Sequence, residues 1–388
     1  MKMKKQDEKI IVGILELAKM GFYVELKEEF REFIRKRIKN KFGSLKQFSL
    51  QTKIVPSSYL SSILTEGRYT KLSLWLKICN AFDIKVKKFK ENILKIRAKH
   101  TKFFLKPEQL PILPYPELSS LVGHGLGDGH ISEEGCFEYT NKEISLHVKV
   151  SKIIYKLFNI NKYTKSSSKT VERRRYNTIV GKALYLAGVP KGNKILQSFS
   201  IPQWILDGSE EIKKSFIRAL FDDEGTVKTS GHEILIKFSK NEKYIDSLQK
   251  FIEQIKQLLE DLGIEVTSIR RENIIIGKNG RTIQLVLGIH GYKNFLKFSK
   301  EIKFNHRQKQ KKLEKMVNNY RSLHNKKRET QRILYENLSE PLTIFDLTNN
   351  LNMTYITVYK GMRKLEREGL IKRIGHNKNQ FIVWRKIK

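Results

Sequence analysis

At 388 residues the chain exceeds one ordinary domain, and about two to four are expected. Hydrophobic residues make up 39% and aromatic residues 10%, enough for real cores, which excludes a disordered polyelectrolyte. Lysine and arginine number 76 against 40 acidic residues, a formal net charge of +36, which points to a polyanionic partner, either nucleic acid or an anionic membrane surface.

The two cysteines, Cys79 and Cys136, lack metal-site spacing and fit a reducing compartment without structural disulfides. No apolar run approaches membrane-spanning length. Charge at Gln6 to Lys9 and Glu16 breaks the basic, apolar start, so the expectation is a cytoplasmic protein without an export signal or membrane partner.

Residues 1 to 105 read as a helical domain. Phe30, Phe33, Ile34 and Ile38 recur at helical spacing. Ser44 is expected to cap a helix carrying Leu45, Phe48 and Leu50, after which Ile54-Val55-Pro56 forms a turn. Ser57 then caps a helix with Leu60, Ile63 and Leu64 inward, ended by Gly67. A third helix, Leu72 to Phe82, turns Leu72, Trp75, Leu76 and Cys79 to one side. The stretch from about 44 to 83 resembles the helix-turn-helix of phage repressors, which makes Ser58, Tyr59, Ser61 and Ser62 candidates to face a DNA groove. The bland alternative is a helical bundle with a serine-rich surface.

Residues 106 to 117 hold Pro107, Pro111, Pro114 and Pro116 and read as a stiff, extended linker. The stretch L-V-G-H-G-L-G-D-G, Leu121 to Gly129, follows. A degenerate copy, I-R-A-L-F-D-D-E-G, occupies Ile217 to Gly225. Each copy ends in an acid followed by glycine, Asp128 in one and Glu224 in the other. After the first come a hairpin around Ser132 to Gly135, the strand F-E-Y-T-N-K-E and a helix Ile144 to Phe158. After the second come a turn at Thr229 to Gly231, the strand I-K-F-S-K-N-E and a helix Tyr244 to Leu262. Basic strands follow in both halves, Thr170 to Val180 and Val266 to Ile289. A repeat this long implies a pseudo-twofold domain rather than a solenoid.

These paired motifs, with the joint V-P-K-G-N-K…I-P-Q-W-I and the basic tail after Ile302, resemble a single-chain LAGLIDADG homing endonuclease over residues 118 to 320. The resemblance implies an α+β fold with two αββαββα-type halves, 118 to 205 and 206 to 320, and saddle-shaped antiparallel sheets. It implies double-stranded DNA as partner, a monomer containing its own pseudo-dimer, cleavage of both strands and Mg²⁺ or Mn²⁺ as cofactor. Hard divalent ions held by carboxylates suit phosphodiester hydrolysis, because they activate water and stabilise charge on the phosphoryl and leaving oxygens. Asp128 and Glu224 are the expected metal-binding and catalytic acids, each placed at the last turn of its helix before a glycine free to adopt the left-handed conformation. Their charge opposes the helix macrodipole, a conflict that a bound cation would remove. By position in the repeat, Asn141, Lys142, Ser239 and Lys240 are further catalytic candidates, with Lys228 and Lys237 as competing choices. Arg173, Arg174, Arg175, Arg270, Arg271, Lys278 and Arg281 are expected to form the DNA saddle, some of them being solvated outer-face charges instead.

Two features depart from the pattern. His124 and Gly125 are unusual inside the first helix. Asp223 stands opposite Gly127, where it is accommodated by that glycine, adds a third carboxylate to the site, or marks a drifted site. Asp222 reads as a structural cap. The string G-H-G-L-G-D-G does not give G-x-G-x-x-G in either register, so a dinucleotide-binding reading fails.

The tail Ile302 to Lys315 is expected to present Lys303, Arg307, Lys309, Lys311, Lys312 and Lys315 to phosphates. Residues 326 to 388 read as a winged helix, with helices Arg328 to Leu338, Thr343 to Asn350 and Tyr355 to Glu368. Strands Ile371 to Ile374 and Gln380 to Trp384 flank a basic turn. Tyr355, Thr357, Lys360 and Arg363 are candidates to enter a groove. Three functions follow: a site-specific metal-dependent DNA endonuclease, a non-cutting DNA-binding regulator on the same fold, and an RNA-splicing maturase. An intein is disfavoured, since Met1 is no splicing nucleophile and the chain ends R-K-I-K without His-Asn.

Overall fold

The computed structural model describes residues 10–387 apart from His100, Lys169, Ser230, Gly231 and Asn352. The chain forms two compact units, Met1–Leu313 and Glu314–Lys388. The fold mixes helices with antiparallel sheets, as the α+β expectation required. None of the described helices is long and apolar enough to cross a membrane.

The first unit begins with helices whose apolar residues recur every third or fourth position. Glu28–Phe42 buries Phe30, Ile34 and Ile38. Leu45–Thr52 is capped by the Ser44 hydroxyl, which accepts from the Gln47 amide at 3.1 Å; it buries Phe48 but leaves Leu50 60% exposed. Ser57–Thr65 buries Leu60, Ile63 and Leu64 as expected, but its cap position is Pro56. Proline fixes the backbone torsion that the helix start needs, and Ser57 is simply the first helical residue. Gly67, one residue past the cap of that helix, takes the left-handed conformation. Leu72–Asn80 follows.

This part is not purely helical. Tyr23–Leu26 is the middle strand of a three-stranded sheet, flanked by Thr70–Lys71 and Ile93–Arg97. Its side chains alternate between half-buried and buried, a period too short to stand out among helices. The proline-rich stretch is extended, as its composition demands, but it is packed. Val12 and Ile112 exchange backbone hydrogen bonds, as do Ile96 and Leu105, and Leu110 and Ile112 are buried. The division between compact units therefore falls at Leu313 and not at residues 106–117.

The remainder of this unit is a repeat. The first half runs helix Pro116–Leu126, strands Gly129–Ile131 and Phe137–Asn141, helix Ile144–Phe158, strands Thr164–Ser167 and Glu172–Tyr176, and helix Thr178–Ala187. The second runs helix Glu210–Glu224, strands Gly225–Lys228 and Glu233–Asn241, helix Ile245–Asp261, strands Arg270–Gly277 and Gly280–Ile289, and helix Tyr292–Lys297. Each half gives a four-stranded antiparallel sheet in which the second and fourth strands are central. The expected strand Thr170 to Val180 is shorter, because Asn177 accepts from the amides of Ile179 and Val180 and starts a helix there. The turn expected at Thr229 to Gly231 lies at Ser230 and Gly231 outside the described residues.

In the second unit, Ile344–Leu351 and Tyr355–Arg367 pack with Leu334 and Leu338 over a sheet ordered Leu342–Thr343, Ile382–Lys386, Ile371–His376. Val358, Met362, Leu365, Ile371 and Trp384 fill its core. The short strand Leu342–Thr343 had no sequence signal.

Candidate active site

The two motif helices, Pro116–Leu126 and Glu210–Glu224, cross at glycine. A Cβ on Gly123 would lie 2.7 Å from the Phe216 carbonyl oxygen and 2.8 Å from the Ala219 Cβ, so only hydrogen lets the backbones approach this far. A Cβ on Gly127 would meet the Cβ and Oδ2 of Asp223 at 2.7 Å. Gly129 and Gly225 are not left-handed. They are needed because a side chain would strike the His124 carbonyl and Phe137 in one case, and the Phe221 carbonyl in the other. The first helix ends at Leu126 with Gly127 as its cap, so Asp128 lies just past the helix end, while Glu224 is the last helical residue.

Both acids are half-buried, and loss of solvent is the largest influence on their protonation. Burial, then the nearby Asp223 charge, pushes the Asp128 carboxyl up to about 6. Burial, then the Asp128 charge, pushes Glu224 up to about 7. Each helix end carries a lysine. The Lys194 ammonium donates to the carbonyls of Gly125 (3.1 Å), Leu126 (2.9 Å), Gly129 (2.7 Å) and Gly127. The Lys309 ammonium donates to those of Phe221 (3.2 Å), Asp222 (2.5 Å) and Asp223 (3.0 Å). Burial lowers both, Lys194 to about 8. The macrodipole conflict expected to call for a metal is thus met by two protein cations. Lys309 is turned into the fold and is not part of a phosphate-facing surface.

What the helix ends leave to attract a cation is the pair of carboxylates. The Asp128 charge raises the cost of ionising Glu224, and hard oxygen donors suit a divalent ion. Among the described residues, no group of three or more His, Cys, Asp and Glu side chains is placed to hold a metal.

The two departures from the motif pattern meet each other. Asp223 is fully buried and faces His124 Nδ1 at 3.1 and 3.2 Å. Its Oδ1 accepts from the Tyr139 hydroxyl at 2.7 Å, and its Oδ2 accepts from the Asp128 amide at 3.2 Å. Asp222 accepts from the amides of Asn305 and His306 and from the Asn305 side chain, the capping role read from sequence.

Of the other predicted residues, Asn141 reaches the acids, donating to Asp128 Oδ2 at 2.7 Å. Lys142 is exposed. Ser239 accepts from Gln284 at 3.3 Å and, with Glu224, Lys194 and Lys237, lines a cleft of about 350 Å³. Lys240, which also borders the cleft, is 1% exposed. Its ammonium donates to the Gln197 carbonyl (2.6 Å) and Ser247 (3.3 Å) and sits over the Phe199 ring. Lys237 pairs with Glu272, and Lys228 lies 3.9 Å from Glu233. Lys194 and Tyr139 had no role expected from the sequence, and Lys309 was expected at phosphates; each acts across a long sequence separation.

Strand alternation sorts the arginines. Arg173 and Arg175 flank Glu138 on one sheet face. Arg174 is buried on the other, donating to Glu172 (2.6 Å), the His147 carbonyl (3.2 Å) and Ser151 (2.8 Å). It is therefore not available to a saddle surface. Arg270, Arg271, Lys278 and Arg281 are exposed, Arg281 lying 3.5 Å from Glu242. Ser58 and Tyr59 are exposed and Ser61 is half-buried. Tyr355, Thr357 and Lys360 are exposed, while Arg363 is half-buried against Glu366 at 3.0 Å.

Residues 211–303 match the family model described as a LAGLIDADG-like domain. The replication factor C small subunit of Methanocaldococcus jannaschii is 27% identical over 332 residues, covering 77% of this chain and 17% of that protein. The chain spans 16–27% of the length of the curated relatives it matches. Among solved structures, I-DmoI in complex with DNA and Mn is 19% identical, covering 48% of this chain and 96% of that one at a TM-score of 0.33. Full-length DUF199/WhiA from Thermatoga maritima is 13% identical, covering 65% and 90% at a TM-score of 0.33.

Proposed function

We propose that this chain, which carries a LAGLIDADG-like domain, is a metal-dependent endonuclease that cuts both strands of duplex DNA. The observation that carries the reading is the junction of the motif helices. There Asp128 and Glu224, one acid from each half, lie half-buried and close enough for the Asp128 charge to raise the proton affinity of Glu224. Two like charges kept together in a low-dielectric site are costly unless something cationic is meant to join them. Stability alone would favour apolar residues at these places.

Asp128 and Glu224 would hold a divalent cation such as Mg²⁺ or Mn²⁺, which when bound supplies water activation and charge stabilisation on the phosphoryl oxygens. The chain's own residues do the rest. Asn141 orients the Asp128 carboxylate. Lys194 and Lys309 fix the ends of the two helices and partly offset the negative charge. Lys237 and Ser239 stand at the cleft beside Glu224. Arg173, Arg175, Arg270, Arg271, Lys278 and Arg281 bind backbone phosphates, positioning the duplex without reading its sequence. The excess of positive charge supports a polyanionic partner.

A second reading, a DNA-binding regulator that does not cut, is favoured by the second unit. Its helix Tyr355–Arg367 exposes Tyr355, Thr357, Lys360 and Tyr359 beside a two-stranded hairpin, which supports a DNA-reading module of the winged-helix kind. A nuclease core does not require such a module. The test is to select duplexes that the intact chain binds from a random pool, and to incubate them with it in Mg²⁺, Mn²⁺ or EDTA. Metal-dependent double-strand products support the endonuclease. Tight binding without a nick under any condition supports the regulator.

A further inference from the structure

The two acids are not held alike. Around Asp128 four hydrogen bonds close a ring. The Asp128 amide donates to Asp223 Oδ2 at 3.2 Å, and the Tyr139 hydroxyl donates to Asp223 Oδ1 at 2.7 Å. Asn141 Nδ2 donates to the Tyr139 oxygen at 3.3 Å and to Asp128 Oδ2 at 2.7 Å. The Asp128 main chain is therefore tied to Asp223, from the opposite half of the repeat, and its carboxylate to Asn141, with Tyr139 joining those two side chains. Asp223 is itself anchored from behind by His124 Nδ1, whose ring packs edge-on against Tyr139 at 5.3 Å. Gly127 makes the space that Asp223 fills.

Among the described residues, no comparable hydrogen-bonded ring surrounds Glu224. The position that would mirror Asp223 is Gly127, which has no side chain. In the repeated strand sequence, Phe238 stands for Tyr139 and has no hydroxyl, and Lys240 stands for Asn141. Lys240 is engaged by Gln197, Ser247 and the Phe199 ring.

We propose that Asp223 is a positioning residue: held by His124, it fixes Asp128 through its amide and through Tyr139 and Asn141, and it leaves Glu224 unconstrained. The proposal rests on the endonuclease reading of the same site. A carboxylate locked in one geometry before substrate arrives acts without first being ordered, and small misplacements of reacting groups are costly in rate. The two halves should then respond differently to loss of the ring, and each variant that opens it should act on one strand of the duplex.

The test uses the intact chain and a selected duplex with each strand labelled separately. Tyr139→Phe removes one hydroxyl from the ring and keeps the buried aromatic. Asp223→Asn removes one acceptor and weakens the His124 contact. Single-turnover rates for each strand, Mn²⁺ binding by calorimetry and thermal melting are measured on wild type and both variants. The expected result is that Tyr139→Phe slows one strand roughly tenfold more than the other, and weakens Mn²⁺ binding while the protein remains folded at the assay temperature. Asp223→Asn, if it folds, does the same on the same strand. Equal slowing of both strands, or rates and Mn²⁺ binding unchanged in Tyr139→Phe, overturns the positioning role and leaves the endonuclease standing. A wild type that binds the duplex and cuts neither strand overturns the endonuclease reading, and the positioning role falls with it.

Discussion

At the scale of single residues, His124 and Asp223 account for each other. Each is out of place in its own motif, and neither motif shows why, because the partner lies on the other helix. The acids they surround give a pH prediction. Asp128 and Glu224 have folded-state pKa values raised to about 6 and about 7. A carboxyl raised on folding stabilises the metal-free fold below its unfolded value, and that contribution is lost as pH rises through the folded value. A divalent cation needs the deprotonated pair and so competes with protons. The upward shift in melting temperature caused by Mn²⁺ should therefore be small near about pH 5 and grow towards about pH 8. A shift of the same size across that range would remove these two carboxyls as the metal site.

At the scale of elements, the helix crossing and the strand faces carry the argument. Gly123→Ala forces a methyl against the Phe216 carbonyl and the Ala219 Cβ, and should destabilise by about 1–3 kcal/mol in chemical denaturation, as overpacking does. Arg174→Ala should also lower stability, because it strips hydrogen bonds from Glu172, Ser151 and the His147 carbonyl inside the fold. Arg173→Ala and Arg175→Ala should leave the melting temperature nearly unchanged and weaken DNA binding uniformly across sequences. The opposite pattern, with Arg174 governing DNA affinity, would mean the sheet faces are assigned the wrong way round. These three arginines also show what was legible. The repeat, the two acids and the order of elements in each half stood in the sequence, because hydrophobic period and motif spacing are local signals. The strand period of two could have set Arg174 apart from its neighbours. Lys194 and Lys309 could not have been placed that way. Their roles exist only because the chain returns to a helix end many residues distant, and a lone lysine in a basic chain carries no mark of that. The strand Tyr23–Leu26 was hidden for a similar reason, since its partners Thr70–Lys71 and Ile93–Arg97 are remote in sequence.

At the scale of the whole molecule, a net charge of +36 sets the terms on which any nucleic acid is met. Binding to duplex DNA should fall steeply and linearly in log–log form as salt rises, each lost phosphate contact reducing the slope by about 0.9. A weak salt dependence would leave the charge without a phosphate-binding role. The central claim is that one acid from each half serves a cutting site, and catalysis and binding must separate if it holds. The most direct measurement compares wild type, Asp128→Asn and Glu224→Gln on the same selected duplex, recording affinity in EDTA and cleavage in Mg²⁺. Both variants should keep near wild-type affinity and lose double-strand cleavage by a factor of about 10² or more. Cleavage at the wild-type rate by both variants would contradict the central claim, as would a wild type that binds tightly and never cuts.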